Sequence, residues 1–196
     1  MSQKKFYLLQ VNDALFPIGA YSHSQGLETY IQNGIVHDEK TAEEYIKNKI
    51  KWNFATTELL SVKLAYESAE AERLEELDLE INETGIYKEY VTARKGKNIS
   101  HSCVYGVFCS ALGIELEEAL EHYLYAQTSA MVTNCVKTIP LSQSVGQKLL
   151  SRCFFEFQEV LETLKIQTKE ELCLSAPGFD IRGIQHEKLY SRLYMS

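Results

Sequence analysis

The sequence predicts an all-α protein, a single-domain helical bundle that ends in an extended C-terminal tail. Apolar residues recur at spacings of three and four over most of the chain, as they do on one face of a helix. No segment alternates apolar and polar residues over the length of a strand, and no Asn-Gly hairpin, repeat or low-complexity tract is present. A chain of 196 residues supports one well-buried core, and two full domains would be a tight fit. We therefore expect a helical domain in residues 1–175 and a tail of the same domain in residues 176–196.

The first long helical pattern is TAEEYIKNKIKWNFATTELLSVKLAYE, which begins at Thr41. Its main apolar residues fall close to one face and are Ile46, Ile50, Phe54, Leu60 and Leu64. Thr41 is predicted as the N-cap, and Glu44 completes a capping-box pattern three residues later. The pattern predicts a helix of about six turns or more.

Two further helical patterns meet at Pro140. Upstream of this proline, apolar residues repeat at three and four positions, and a second apolar face in the later turns predicts burial on nearly all sides. Pro140 ends this helix, and Ser142 is predicted to cap the next, which carries a broad apolar stripe through SVGQKLLSRCFFEFQEVLETLK. Residues from 85 to 112 also fit a helix, with close helix contacts predicted at Gly96 and Gly106.

The charge balance limits the possible partners. The chain carries 20 Lys and Arg against 27 Asp and Glu, a formal net charge of -7. This balance argues against nucleic acid as a partner, because sequence-independent affinity for it comes mainly from neutralised phosphates. Much of the acidity lies in ESAEAERLEELDLEINE, residues 67–83, and such a run is typical of a solvated helix face or an exposed connection.

The apolar segments are too short for export or for a membrane. The N-terminal segment carries a short apolar run before polar residues interrupt it, less than a signal peptide needs. No window approaches the roughly 18 apolar residues of a membrane helix. We therefore expect a cytoplasmic protein with no membrane partner. The five cysteines, with no C-x-x-C pair, are expected to be reduced thiols that act as small core hydrophobes.

The end of the chain, LCLSAPGFDIRGIQHEKLYSRLYMS from residue 172, differs from the helices before it. Ala176-Pro177-Gly178 stops the preceding helix, and large apolar residues then alternate with charged ones. A polar, mobile terminus would not normally carry so many apolar residues. Two alternatives follow: the tail docks on its own core, or a partner orders it.

The stretch DALFPIGAYSHSQGLE, residues 13–28, raises the question of catalysis. Its SHSQG segment, residues 22–26, is one residue away from the nucleophile-elbow pattern of hydrolases, and Asp180 and His186 follow in the hydrolase order. A small serine hydrolase using Ser24 and His186 is therefore one hypothesis. The elbow requires a strand and a parallel sheet, and the sequence predicts neither.

The same stretch gives weak signals for metal or phosphate. The five histidines of the chain form no H-x-x-x-H or E-x-x-H pair on a helix. A phosphate loop would need a G-K-[ST] motif, which is absent. We predict no cofactor and no metal site within one chain, and a site assembled by a symmetric dimer stays open. The stretch is predicted as a helix–turn–helix joint in which Ser22 or Ser24 caps the next helix and Glu28 lies in its first turns.

This stretch also closely resembles the N-terminal signature of the UreF family of urease accessory proteins, P-[IV]-G-[GA]-[FY]-S-H-S-x-G-[LM]-E. The signature residues are Pro17, Gly19, Ser22, His23, Gly26 and Glu28. The resemblance continues in ARKGK at 93–97, HSCVYG at 101–106 and VKTIPLSQSVGQKLL at 136–150, and it closes with the tail. It covers essentially the whole chain.

The resemblance implies an all-α homodimer that has no catalytic activity of its own. Members of the family are scaffolds that join the UreD (also called UreH) accessory protein and the GTPase UreG. This assembly acts on apo-urease so that nickel enters the active site. The sequence establishes no arginine finger for the GTPase, and the candidates are Arg73, Arg94, Arg152, Arg182 and Arg192. A helical adaptor for a different client is the alternative.

The resemblance assigns partner binding to the tail, because the family's tail is linked to UreD/UreH. The assigned residues are Asp180, His186, Glu187, Tyr190, Arg192, Leu193, Tyr194 and Ser196. The signature residues are expected to fix the fold near the dimer or partner surface. Arg94, Gly96 and Lys137 match further positions of the family.

The chain departs from the family pattern at three places. Gly183-Ile184-Gln185 stands where Ser-Met-Arg is usual, and Met195 replaces a residue that is commonly basic. Ser142 stands where glycine is usual after Pro140. Electrostatic contacts of the tail are therefore expected to be weaker or differently placed.

Overall fold

The computed structural model describes residues 3–13, 16, 24–75, 92, 95–96, 100–174, 176–191 and 193. Within these ranges the chain is helical and has no strand, which confirms the all-α prediction. The α-helices of these ranges are α1 (Gln3–Val11), α2 (Leu27–Gln32), α3 (Glu39–Lys49), α4 (Glu58–Glu75), α5 (His101–Ala111), α6 (Leu116–Thr138), α7 (Gln143–Arg152), α8 (Phe154–Ile166) and α9 (Pro177–His186). None of these helices is long and apolar enough to span a bilayer.

The long helix α6 is the central element of the bundle. It contacts α1 to α5, α7 and α8. Its largest buried side chains are Leu120, Tyr123, Leu124, Met131 and Val132. The second half of the helix exposes Ala130, Thr133 and Lys137, so the prediction of burial on nearly all sides is wrong there. These three residues line an open cleft that is described below.

Gly106 allows α5 to lie directly against α4. A Cβ atom at this position would press on the carbonyl oxygen of Val62 and would lie 3.1 Å from both the Ala65 Cβ and the Tyr66 nitrogen. The close contact predicted at Gly106 is therefore confirmed. At Gly96, no described atom lies within 4 Å of such a Cβ, so the contact predicted there is not seen.

Asp38, and not Thr41, is the N-cap of α3. The Asp38 carboxylate accepts the Thr41 N–H at 2.8 Å, and the Thr41 hydroxyl accepts the Asp38 N–H at 3.0 Å. Both residue types are favoured in a capping box, and the sequence pattern placed the cap three residues late. The long helix predicted from Thr41 is also divided, because a π-helical segment, Ile50–Phe54, and a turn separate α3 from α4.

Ser142 caps α7, as predicted. Its hydroxyl accepts the Val145 N–H at 3.2 Å, and α6 ends at Thr138, just before Pro140. The apolar stripe that follows forms two helices and not one. Cys153, with φ of -80° and ψ of -8°, separates α7 from α8.

A charged network holds α3 against α7 and α8. Arg152 Nη1 lies 2.8 Å from a Glu39 oxygen and 2.9 Å from a Glu43 oxygen. Lys47 Nζ lies 3.1 Å from Glu43 and 3.2 Å from Glu156. Arg152, one of the arginine-finger candidates, is thus bound to two carboxylates of its own chain.

All five cysteines are free, and three of them belong to the core. Cys109, Cys135 and Cys153 are buried, and burial raises the pKa of each to about 12, so each thiol is protonated at neutral pH. This confirms the prediction for these three. Cys103 is half-buried, and Cys173 is exposed, so the prediction of a core position is wrong for Cys173.

Candidate functional site

The tail docks on its own core through α9. This helix packs on α2, the helix that follows the signature stretch. The Phe179 ring of α9 lies 5.9 Å, centroid to centroid, from the rings of Tyr30 and Tyr45. Tyr45 is buried, so the contact joins the tail to the main hydrophobic core. Of the two alternatives raised by the sequence, docking is the one seen in the described part of the tail.

Glu28 binds the tail at two points from the first turn of α2. Its Oε2 lies 2.7 Å from Nε2 of His186, and both side chains are buried. Its Oε1 accepts the backbone N–H of Leu193 at 2.7 Å. Because a buried carboxylate has lost its water, such N–H partners are what make its burial tolerable. We call Glu28, His186 and the Leu193 N–H the tail latch.

Three further hydrogen bonds run from side chains of α2 to carbonyl oxygens of the tail. The Thr29 hydroxyl donates to the Arg182 carbonyl at 2.9 Å, and the Tyr30 hydroxyl donates to the Gly178 carbonyl at 3.1 Å. Gln32 Nε2 donates to the Ser191 carbonyl at 2.7 Å. In all three, the acceptor in the tail is a backbone carbonyl oxygen. These bonds therefore fix the path of the tail backbone and do not depend on which side chains the tail carries.

Gly26 is required where α2 begins. Its φ is +87°, a region that favours glycine, and a Cβ atom there would lie 3.1 Å from the backbone nitrogen of Gly183. Gly26 is also the N-cap of α2, with no side-chain cap. The predicted cap by Ser24 is wrong, because this residue contributes its carbonyl oxygen, which accepts the Leu27 N–H at 3.0 Å.

A buried lysine lies beneath the start of α9. Lys49 Nζ lies 4.8 Å from the centroid of the Phe179 ring and 5.8 Å from that of Phe54. Burial lowers the pKa of the Lys49 amine, while the carboxylates of Glu58 and Asp180 raise it. The ammonium over the Phe179 ring adds a cation–π contact between the core and the tail.

The outer side of the docked tail is apolar and exposed. Phe179, Arg182 and His186 face α2 at helical spacing, and Ile181 and Ile184 lie on the other face of α9. The exposed large apolar residues in the described part of the tail are Ile181, Ile184, Tyr190 and Leu193, with exposed fractions of 50%, 67%, 104% and 77%. We call these four residues the tail ridge. Several large apolar side chains this exposed within one short segment are typical of a surface that binds another protein.

The structure brings together some of the residues that the sequence singled out. Gly26, Glu28, His186 and Leu193 meet where α2 contacts the tail, whereas Asp180, Glu187 and Tyr190 lie on the exposed surface. The residues that lie outside the described ranges are Pro17, Gly19, Ser22, His23, Arg94, Arg192, Tyr194 and Ser196. No motif or spacing in the sequence indicates that Glu28 and His186 form a pair.

Lys137 lies on an open cleft and not in the tail contact. The cleft has a volume of about 390 Å³ and follows one face of α6, which contributes His122, Ala126, Ala130 and Lys137. His101 lines the cleft from α5, and burial lowers the pKa of its imidazole. The cleft therefore presents mixed polar and apolar groups, with no set of residues that points to one reaction.

The described residues do not form a hydrolase site. Ser24 Oγ is buried and makes no hydrogen bond, and Nδ1 of His186 is likewise without a partner. Since Nε2 of His186 is bound to Glu28, the bond between nucleophile and base that would activate Ser24 is missing. Among the described residues, no group of three or more His, Cys, Asp or Glu side chains is placed to hold a metal ion.

The chain is similar to urease accessory proteins over nearly its full length. The UreF family model matches residues 78–154. The urease accessory protein UreF of Bacillus sp. (strain TB-90) is 32% identical, over 96% of this chain and 97% of its own length. The proteins of the same name from Geobacillus kaustophilus and Lachnoclostridium phytofermentans are 31% and 28% identical, each over at least 96% of both chains. The chain therefore belongs to the UreF family of urease accessory proteins.

Proposed function

We propose that this chain is a non-enzymatic scaffold in urease maturation. It joins a UreD/UreH-like accessory protein and a UreG-like GTPase so that nickel enters apo-urease. The family of the chain supports this role, since the relatives carry the name urease accessory protein. The proposal places the scaffold in the cytoplasm and includes a homodimer.

The tail ridge is the observation that carries the proposal. Ile181 and Ile184 project from α9, whose other side packs on α2, and Tyr190 and Leu193 lie in the segment after it, whose backbone is bound by Gln32 and Glu28. The ridge is therefore available to a partner while the backbone beneath it is held. Burying such apolar surface contributes about 25 cal/mol per Å². Asp180 and Glu187 are exposed beside the ridge, which matches the apolar centre and polar rim of many protein interfaces.

The contacts divide the predicted partner-binding residues into two groups. Tyr190 and Leu193 are proposed to touch the UreD/UreH-like protein directly, with Asp180 and Glu187 at the rim. His186 is buried, so it acts on binding only through the position of the tail. Arg192, Tyr194 and Ser196 are proposed as further partner contacts on the family resemblance.

The absence of catalysis is part of the same proposal. It is supported by the separation of Ser24 from both ring nitrogens of His186, which leaves the hydrolase alternative without an activated nucleophile. The family name describes an accessory role and no reaction.

A single exposed residue tests the ridge more cleanly than deletion of the tail. Deletion from Pro177 onward would remove Phe179 from the buried Tyr45 and so expose the core. We instead propose Ile184→Asp, with Ile166→Asp as its matched control. Both isoleucines are exposed, at 67% and 81%, and Ile166 lies at the end of α8, outside the tail.

The measurement is co-purification with the UreD/UreH-like and UreG-like proteins of the same organism. We expect the wild-type chain and Ile166→Asp to form the complex, and Ile184→Asp to lose the UreD/UreH-like protein. Equal binding by all three would show that the ridge is not the contact. A wild-type chain that binds neither protein would favour a helical adaptor for a different client.

A further inference from the structure

Glu28 divides its two carboxylate oxygens between two different parts of the tail. One oxygen lies 2.7 Å from Nε2 of His186, the last residue of α9. The other accepts the N–H of Leu193, seven residues further along the chain, at 2.7 Å. A single buried side chain of α2 therefore ties the end of the helix to the segment that follows it.

The pattern of partners assigns the proton of the imidazole. Nδ1 of His186 is buried and has no hydrogen-bond partner among the described residues, so a proton there would have no acceptor. A proton on Nε2 is donated to the Glu28 carboxylate across 2.7 Å. Glu28 thus accepts an N–H on each oxygen, and its charge strengthens both bonds.

The segment after α9 is fixed through backbone atoms of Ser191 and Leu193, while the side chains of Tyr190 and Leu193 are exposed. The Leu193 N–H is held by Glu28, although 77% of the Leu193 residue surface is exposed. The Ser191 carbonyl accepts a hydrogen bond from Gln32 at 2.7 Å. Tyr190, next to Ser191, is fully exposed. Backbone contacts to α2 therefore set where two residues of the tail ridge stand.

We propose that Glu28 is a positioning residue for partner binding. It touches no partner itself; it holds the tail in the shape that presents Tyr190 and Leu193. This inference rests on the proposed function, in which the ridge is the contact. A segment that is already ordered loses less conformational entropy on binding, so the latch raises affinity without adding a contact.

The variants are Glu28→Ala, Glu28→Gln and two controls. Glu28→Ala removes both acceptors. Glu28→Gln keeps one carbonyl oxygen for Leu193, but its amide offers no carboxylate to His186. Glu44→Ala is the control for loss of a negative charge, because Glu44 is exposed on α3. Ile184→Ala is the control that alters the ridge and leaves the latch intact.

Two measurements separate the latch from the binding that depends on it. Amide hydrogen exchange of Leu193, followed by NMR in the isolated protein, reports the latch with no partner present. Affinity for the UreD/UreH-like protein of the same organism, measured by calorimetry, reports the consequence. Circular dichroism verifies that each variant keeps its helices, and Glu28→Gln preserves the test if Glu28→Ala does not fold.

We expect slow exchange of the Leu193 amide in the wild-type chain and in both controls. Glu28→Ala should lose this protection and weaken binding by about tenfold or more, with Glu28→Gln between it and the wild type. Ile184→Ala should weaken binding without changing the exchange of Leu193.

Three outcomes would overturn the inference. Unchanged exchange in Glu28→Ala would show that the carboxylate does not hold the tail. Lost protection with unchanged affinity would show that the latch does not position the ridge. A wild-type chain with a protected Leu193 amide and no affinity for the partner would refute the proposed function, and the positioning role with it, while leaving the latch as a structural contact.

Discussion

The side chains of Glu28 and His186 meet at 2.7 Å, although 158 residues separate them in the chain. Leaving a buried charged group without its hydrogen-bond partner typically costs about 3 kcal/mol or more. In this protein the free-energy cost of losing His186 cannot exceed the cost of detaching the tail. Release of the tail would let water reach Glu28, so the tail is expected to detach before the core unfolds.

His186→Ala should therefore release the tail while leaving the core folded. A loss of about 3 kcal/mol or more would raise the population of detached tails about a hundredfold or more. Limited proteolysis with trypsin, which can cut after Arg182 and Lys188, measures that population. Glu187→Ala, an exposed neighbour, is the control and should be cut at the wild-type rate. Wild-type resistance in His186→Ala would show that the pair does not hold the tail.

Lys63→Met should destabilise the bundle by about 2–3 kcal/mol. Lys63 is buried, and its Nζ donates to the carbonyl oxygens of Leu164 and Gln167 at 2.8 Å and 2.7 Å, at the end of α8. Methionine fills a similar space but leaves both oxygens without this donor. Urea unfolding measures the change in the free energy of unfolding.

The control for this substitution is Lys165→Met, at the penultimate residue of α8. Lys165 is exposed and pairs with Glu162 on the surface, so its loss should leave the free energy of unfolding unchanged. If both substitutions changed the free energy of unfolding equally, the buried hydrogen bonds of Lys63 would contribute no more to stability than a surface ion pair.

Two glycine-to-alanine substitutions in helices should have opposite signs. Gly106→Ala would push a methyl group onto the Val62 carbonyl and separate α5 from α4, at a cost of about 1–3 kcal/mol. At Gly183 no described atom lies within 4 Å of an added Cβ, and the residue lies inside α9, so Gly183→Ala should stabilise this helix by about 0.5–1 kcal/mol. Thermal unfolding of the pair checks both signs, and a stabilising Gly106→Ala would contradict the close helix contact.

His101 should make the protein less stable as the pH falls. Burial lowers the pKa of its imidazole below the ordinary value of 6.5. The unfolded chain therefore binds the proton more readily than the folded one, and the stability present above pH 6.5 is lost as the pH falls toward the folded pKa. His101→Phe should flatten this decline, as measured by urea unfolding at several pH values. An identical decline in the variant would exclude His101 as its source.

The sequence was most informative where the signal is local. Ser142 was predicted as a cap because serine before an apolar stripe satisfies nearby N–H groups, and its hydroxyl does so in the structure. Gly106 was predicted as a close contact because glycine is otherwise unfavourable inside a helix. Local signals also misled, because Asp38 and Thr41 of one capping box are both favoured cap residues, and only the backbone geometry decides between them.

The sequence predicted which residues belong to the candidate site, but it did not predict which of them contact each other. The family resemblance singled out Glu28, His186 and Leu193, and the first two were assigned to different roles. Their contact depends on how α9 packs on α2, which no spacing within one chain encodes. The resemblance assigned His186 to partner binding, and because its ring is fully buried in this structure we propose that it acts indirectly.

Activation of apo-urease is the decisive experiment for the proposed scaffold role of this chain. Apo-urease of the same organism is incubated with nickel, bicarbonate, GTP and the UreD/UreH-like and UreG-like proteins, with this chain present, absent or replaced by Ile184→Asp. We expect urease activity with the wild-type chain, none without it, and a large loss with Ile184→Asp. Equal activation without the chain would contradict the scaffold role.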